Sequence, residues 1–159
     1  MYMSKARKIV TIVLLSLTAL TTIFIFVNAF LPSDISSSIS TSFSDTIIRI
    51  FIKPENDEEF YHFVRKSIGH FLLNGINAGL ALLTLFTYFK NKKEHRGYLL
   101  VPAFTYGVVV AGLSELAQLT ADGRSAQWSD FGINTLGCIT SVVLIGLVYA
   151  IKFTVKRNK

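Results

Sequence analysis

Residues 114–137, SELAQLTADGRSAQWSDFGINTLG, set a glutamate inside an apolar run and surround it with polar residues at helical spacing. Glu115 and Gln118 lie one turn apart, with Ser114 adjacent. A Gly-Arg loop then leads to Asp130, and a second apolar run opens with Asn134 and Gly137. Upstream, Lys66, His70, Asn74 and Asn77 recur at increments that line one face of a helix, and Asp130, Asn134, Cys138 and Ser141 repeat those increments. A histidine with two carboxylates permits general acid–base chemistry, so Glu115, His70 and Asp130 are the candidate catalytic groups. The same three can be set against a divalent cation, but they lack close ligand spacing, and no metal site is assigned. Arg124, in a Gly-containing loop, suits a phosphate or carboxylate. Lys66, His70, Asn74, Glu115, Gln118, Arg124, Asp130 and Asn134 thus form a candidate ligand-binding set, fitted to an anionic, amphiphilic ligand. The sequence has no P-loop, no HExxH motif and no defensible Ser-His-Asp spacing, and the residues name no cofactor.

Plainer readings compete with these. Asn74, Asn77 and Gln118 can serve as hydrogen-bonding glue between helices, at ~0.6 kcal/mol each. Arg124 can form a structural ion pair with either acid. Gly75 with Gly79, and Gly137 with Ser141, are small-xxx-small pairs that favour tight helix packing. Cys138 reads as a small packing residue, and as the sole cysteine it has no partner for an internal disulfide. His62 and His95 fall outside the apolar runs and receive no role.

The elements that position these groups are membrane helices. Of the 159 residues 51% are hydrophobic and 16% charged, with mean hydropathy +0.49, too apolar for an ordinary soluble domain of this size. Four apolar runs carry the excess, at about 9–31, 67–89, 98–120 and 131–151. Each is long enough at ~1.5 Å per residue to cross a hydrocarbon core of ~30 Å. The fold class is therefore an all-α integral membrane protein, one domain over residues 1–159, with a long extracytoplasmic loop between the first two spans. Lys5, Arg7 and Lys8 before the first run also fit a signal peptide, but that run exceeds the usual h-region of about 7–15 residues, and an uncleaved span is expected. The N-terminus, the 90–96 loop and the C-terminal tail hold most of the basic residues and a single acid, Glu94, which puts both termini in the cytoplasm. The net charge of +6 is thereby a topology signal and gives no case for a nucleic-acid partner.

In that orientation the polar residues converge on the outer end. His70 lies roughly 6 Å and Glu115 roughly 7 Å inside the span boundaries at the helical rise, and lipid satisfies neither. Three spans would then wall one polar pocket, His70, Asn74 and Asn77 forming the side opposite the Glu115 and Asp130 runs. Residues 33–46, rich in Ser and Thr, read as loop. Ile47–Lys53 reads as lying along the membrane surface, and Pro54 with the acids after it as the start of a helix running into the second span. Trp128, Tyr98 and Tyr149 fit interfacial aromatic belts.

The ordered set Lys66-x-x-x-His70-Phe71, Ser114-Glu115-x-x-Gln118, Gly123-Arg124, Asp130, Asn134 and Gly137 resembles the VanZ-like family of small bacterial membrane proteins. The likeness covers about residues 60–150, with the first span matching in general layout. It implies a multi-pass protein of the bacterial plasma membrane that lowers susceptibility to glycopeptide antibiotics such as teicoplanin. The partners it implies are the bilayer and a cell-wall precursor, an anionic lipid or the glycopeptide itself. Two alternatives stand beside it: a membrane-embedded hydrolase or transferase acting on an anionic envelope lipid, and a scaffold whose polar stripes only join helices.

Overall fold

The computed structural model describes residues 3–33, 35, 36, 38, 58–89 and 97–157. Among these are four long helices and no strand: α1 Lys5–Phe30, α2 Glu58–Tyr88, α3 Leu100–Gln118 and α4 Trp128–Arg157. Each contains a stretch long and apolar enough to cross a membrane: Lys5–Phe30, Lys66–Tyr88, Gly97–Gln118 and Trp128–Lys152. The four expected spans are all present. α2 begins eight residues before its apolar stretch, at Glu58, as its acidic start leads one to expect. The Ile47–Lys53 segment, Pro54 and the Lys90–Arg96 loop lie outside the described residues. At the head of the expected Ser-rich loop, residues 33, 35, 36 and 38 are helical, with Ser36 N–H donating to Pro32 O at 3.0 Å. Pro32 supplies the fixed φ that suits a first helical turn.

Local chemistry accounts for the helices. Ser4 caps α1, its hydroxyl accepting from Arg7 N–H at 3.4 Å. Pro102 falls in the first turn of α3, where a missing N–H costs no ladder bond. Threonines inside the spans return their hydroxyls to the preceding turn, as Thr18 does to Leu14 O (2.8 Å) and Thr84 to Leu80 O (2.8 Å). Such back-bonding satisfies a hydroxyl that lipid cannot.

The most extensive interface joins α2 to α4, and it is built on small residues. A Cβ on Gly75 would come within 3.0 Å of Gly137 O, and one on Gly79 would collide with the Ser141 side chain. Pairs 75–137 and 79–141 advance together, so the two helices run parallel with backbones in close contact. α3 runs antiparallel to α4, with Gly107 against Cys138 and Leu100 against Gly146. Toward the termini the three helices enclose an apolar core of Ala78, Leu82, Phe86, Ala103, Cys138 and Val142. Tyr149 packs there, its ring 4.4 Å from that of Phe86, whereas Tyr98 and Trp128 are 73% and 88% exposed, as belt residues require.

α1 packs against α2 and α3 through hydroxyls. Asn77 Nδ2 donates to Thr22 Oγ1 (3.1 Å), Tyr106 donates to Asn77 Oδ1 (3.2 Å), and Thr22 and Tyr106 also bond to each other. Thr18 and Thr84 approach to 3.5 Å one turn nearer the termini. Tyr106→Phe should therefore cost ~1 kcal/mol of stability in detergent or bicelles, the range of buried interhelical hydrogen bonds. A denaturation midpoint unchanged from the parent would remove this network from the account of how α1 is held.

Candidate functional site

The opposite end of the bundle is polar. α2 brings Lys66, His70 and Asn74, α3 brings Ser114, Glu115 and Gln118, and α4 brings Asp130 and Asn134. Asn74, Glu115, Gln118, Asp130 and Asn134 are each at most 5% exposed. The sequence pattern anticipated this convergence, and all of these side chains but Ser114, whose hydroxyl bonds to Ala111 O, are joined in one network of hydrogen bonds and an ion pair.

A backbone carbonyl sets the direction of that network. Asn74 Nδ2 donates to His70 O (3.2 Å) and to Asn134 Oδ1 (2.7 Å). Because a carbonyl only accepts, the Asn74 nitrogen has to face it, and Asn134 must then present its oxygen to Asn74. The Asn134 nitrogen is left pointing at Glu115 Oε1, 3.0 Å away. Gln118 Nε2 reaches the same oxygen at 3.2 Å, and Gln127 N–H approaches Glu115 Oε2 at 3.4 Å. Three N–H donors thus converge on one carboxyl group.

His70 Nδ1 lies 3.1 Å from Asn134 Oδ1, an oxygen already fixed as acceptor, so that nitrogen carries a hydrogen. Its other nitrogen, Nε2, stands 3.9 Å from Asp130 Oδ2. Asp130 sits in the first turn of α4, where the helix dipole favours an anion, and pairs with Lys66 Nζ at 2.6 Å. Lys66 also donates to Gln127 Oε1 at 3.2 Å, joining α2 to the entry of α4. The two proton-exchange positions that network bonds leave least committed are His70 Nε2 and Glu115 Oε2.

Arg124 takes a different place from the ion pair weighed from sequence. Among the described residues it pairs with neither acid. Its Nη1 donates to Asn28 O (2.6 Å) and Ser36 Oγ (3.0 Å), with Leu31 O at 3.5 Å. The last carbonyls of a helix lack intrahelical partners, and a guanidinium satisfies them. Burial pulls the Arg124 pKa below its ordinary value, with Glu115 and Asp130 acting in the opposite direction. Gly123 makes the loop possible: its φ of +70° lies in the left-handed region, and a Cβ there would press within 3.0 Å of Ser33 Oγ. Ser33 N–H donates to Asp122 O at 3.3 Å, a second tie between this loop and the exit of α1.

Asn77 also departs from the expected wall. It turns to Thr22 and Tyr106 on the α1 side and, among the described residues, makes no bond to the Glu115 network. The small cavity at this end, about 20 Å³, is walled by Ile25, Asn28 and Ala29 of α1, His70, Leu73 and Asn74 of α2, and Ser114 and Gln118 of α3. α1 is a wall that sequence reasoning missed, although Asn28 near the end of an apolar run gave the same kind of signal as Glu115. Gln127 left no such signal, since it acts partly through its backbone. Cys138 packs beneath the site, its thiol 3.6 Å from Asn74 O, as a small packing residue would.

Four membrane-length helices around a buried hydrogen-bonded network define a small multi-pass membrane protein with a buried polar cluster. The chain belongs to the VanZ/LLP1 family, whose sequence model matches residues 9–149 and so takes in α1 as well as the three helices that carry the motif. No curated protein was found to match it. No solved structure was found to match it either.

Proposed function

We propose that this protein lies in the bacterial plasma membrane with both termini cytoplasmic and lowers susceptibility to glycopeptide antibiotics such as teicoplanin. It does so by engaging a cell-wall precursor or another lipid-linked ligand at the outer leaflet. The observation that carries this reading is the Glu115–Asn134–Asn74–His70 network, assembled at the end of the bundle away from the basic termini. Intramembrane ionisable groups are costly and mark sites of function. Family membership supports the glycopeptide role, and the charge distribution supports the orientation. Lys66, His70, Asn74, Glu115, Gln118, Arg124, Asp130 and Asn134 form the site. Arg124 has one of its guanidinium nitrogens engaged on α1, so it ties that helix to the site while it holds an anionic group.

Expression in a susceptible Gram-positive host tests this. The parent should raise the inhibitory concentration of teicoplanin, and Glu115→Gln and Asp130→Asn should return it to the empty-vector value at equal membrane abundance. Full resistance in both variants would remove the site from the mechanism. A second reading, a hydrolase or transferase acting on an anionic envelope lipid, is favoured by the proton-exchange positions least committed to the network, His70 Nε2 and Glu115 Oε2. Purified protein in nanodiscs with labelled envelope lipids distinguishes it, because an enzyme converts a lipid and a binder leaves every one intact.

A further inference from the structure

The interior of the polar site is closed to anything larger than water. Asn74, Glu115, Gln118, Asp130 and Asn134 are each at most 5% exposed, and the cavity of about 20 Å³ beside them admits one water-sized species. A lipid-linked ligand therefore reaches Glu115 and Asp130 only if some part of the structure moves aside. The helices are poor candidates, because α2 and α4 meet backbone to backbone at Gly75 and Gly137. The segment joining α3 to α4 differs from them in its path and in its attachment.

α1 and α4 each pack on α2 and α3 and make little contact with each other. Residues 119–127 nevertheless reach the end of α1 on their way to α4. There Arg124 Nη1 donates to Asn28 O at 2.6 Å and to Ser36 Oγ at 3.0 Å, and Asp122 O accepts from Ser33 N–H at 3.3 Å. The chain then returns over the two acids. Gln127 N–H stands 3.4 Å from Glu115 Oε2, and Gln127 Oε1 accepts from Lys66 Nζ at 3.2 Å, the partner of Asp130. No side chain of residues 119–127 is buried. Among the described residues, polar contacts of this kind are what hold the segment across the bundle end. A segment without buried apolar side chains opens at a small fraction of the free energy of global unfolding.

From this path and this attachment we infer that residues 119–127 are a lid, latched to α1 through Arg124 and to α2 through Gln127, that swings aside to admit a ligand to Glu115 and Asp130. Lid motions of this kind control access to enclosed sites. The role rests on the reading of this end of the bundle as a ligand site, and it adds how that site is reached. Arg124 holds the closed state until its hydrogen bonds to α1 are released. Lys66 ties the lid to the charge of Asp130, since its Nζ serves both Gln127 and that carboxylate.

Purified full-length protein in nanodiscs, with no antibiotic or cell-wall ligand added, is the test. A Cβ on Gly123 would lie 3.7 Å from Ser33 Cβ, within the range of about 3.5–4.5 Å that disulfides require. Ser33→Cys with Gly123→Cys, in a Cys138→Ala background, therefore fastens the loop to α1 when oxidised and frees it when reduced. Any strain of a side chain at the left-handed position 123 is common to both forms. Carboxyl groups are labelled with a water-soluble carbodiimide and an amine, and each is followed by mass spectrometry. Glu115 should label at least tenfold more slowly in the oxidised form, while Asp122, exposed on the loop, labels equally in both. Arg124→Ala in the otherwise unchanged chain needs no engineered disulfide. It should speed Glu115 labelling about tenfold, the effect of losing one hydrogen bond to a charged group. Equal Glu115 rates in the two redox forms overturn the lid, as does an Arg124→Ala rate equal to the parent's, or a Glu115 that stays unlabelled in the reduced form. Because no antibiotic enters the measurement, a lid that fails to open and a resistance that fails to appear are separate failures.

Discussion

Gly137→Ala is expected to be the most damaging single-methyl substitution in the bundle. The added Cβ would be driven into the Phe71 carbonyl oxygen, with Phe71 C at 3.0 Å and Cα at 3.2 Å. These are backbone atoms of a neighbouring helix, so no side-chain rotation relieves the overlap and α2 must move away from α4. Overpacking of this kind costs ~3 kcal/mol. Gly79→Ala is the internal control on the same interface. Its Cβ would meet Ser141 Oγ and Ile145 Cδ1, the ends of side chains that can turn aside, so a loss below ~1 kcal/mol is expected. Denaturation of the two variants in the same detergent measures the contrast, and equal losses would show that helix separation is not what Gly137 protects. Since Asn134 stands one turn before this contact, Gly137→Ala should also disrupt its bond to Asn74 and, on the function proposed above, lower the inhibitory concentration of teicoplanin.

The second large effect is expected at Asn134. It is 0% exposed and serves three partners on two helices, accepting from Asn74 and His70 and donating to Glu115. Asn134→Leu keeps the volume roughly and leaves all three without that partner. Interhelical hydrogen bonds in membranes average ~0.6 kcal/mol, but leaving the buried Asn74 and His70 donors without their acceptor adds ~1–3 kcal/mol. The sum is about 3 kcal/mol. Cys138→Ala, one turn along the same face, removes only a long contact to Asn74 O and some packing, and should cost ~1 kcal/mol. If Asn134→Leu unfolds at the same denaturant concentration as Cys138→Ala, the network contributes little to stability.

The four spans were legible because hydrocarbon thickness imposes a length and an apolar content that composition alone reveals. The polar stripes of α2 and α4 were legible because side chains three and four apart share a helix face. Ser114, Glu115 and Gln118 stood out through the cost of polar groups inside an apolar run. Arg124 was the residue hardest to place. A Gly-Arg loop between two acids suggests an ion pair, but its Nη1 bonds to the end of α1 and to Ser36, distant positions in sequence. Asn77 shares a stripe with Asn74 yet bonds to Thr22 and Tyr106.

By itself the sequence determined that the chain is a bundle of four membrane helices, which faces of α2 and α4 are polar, and that the polar groups gather at one end. Periodicity and span length are properties of single segments, and they need no knowledge of neighbours. Only the tertiary structure decided which groups bond to which: that Lys66, and not Arg124, meets Asp130, that α1 walls the cavity, and that Glu115 is met by amides in place of a cation. Those choices depend on the parallel seating of α2 against α4 at Gly75 and Gly137, where two backbones touch. Contacts between segments far apart in the chain carry no period, so no single segment records them.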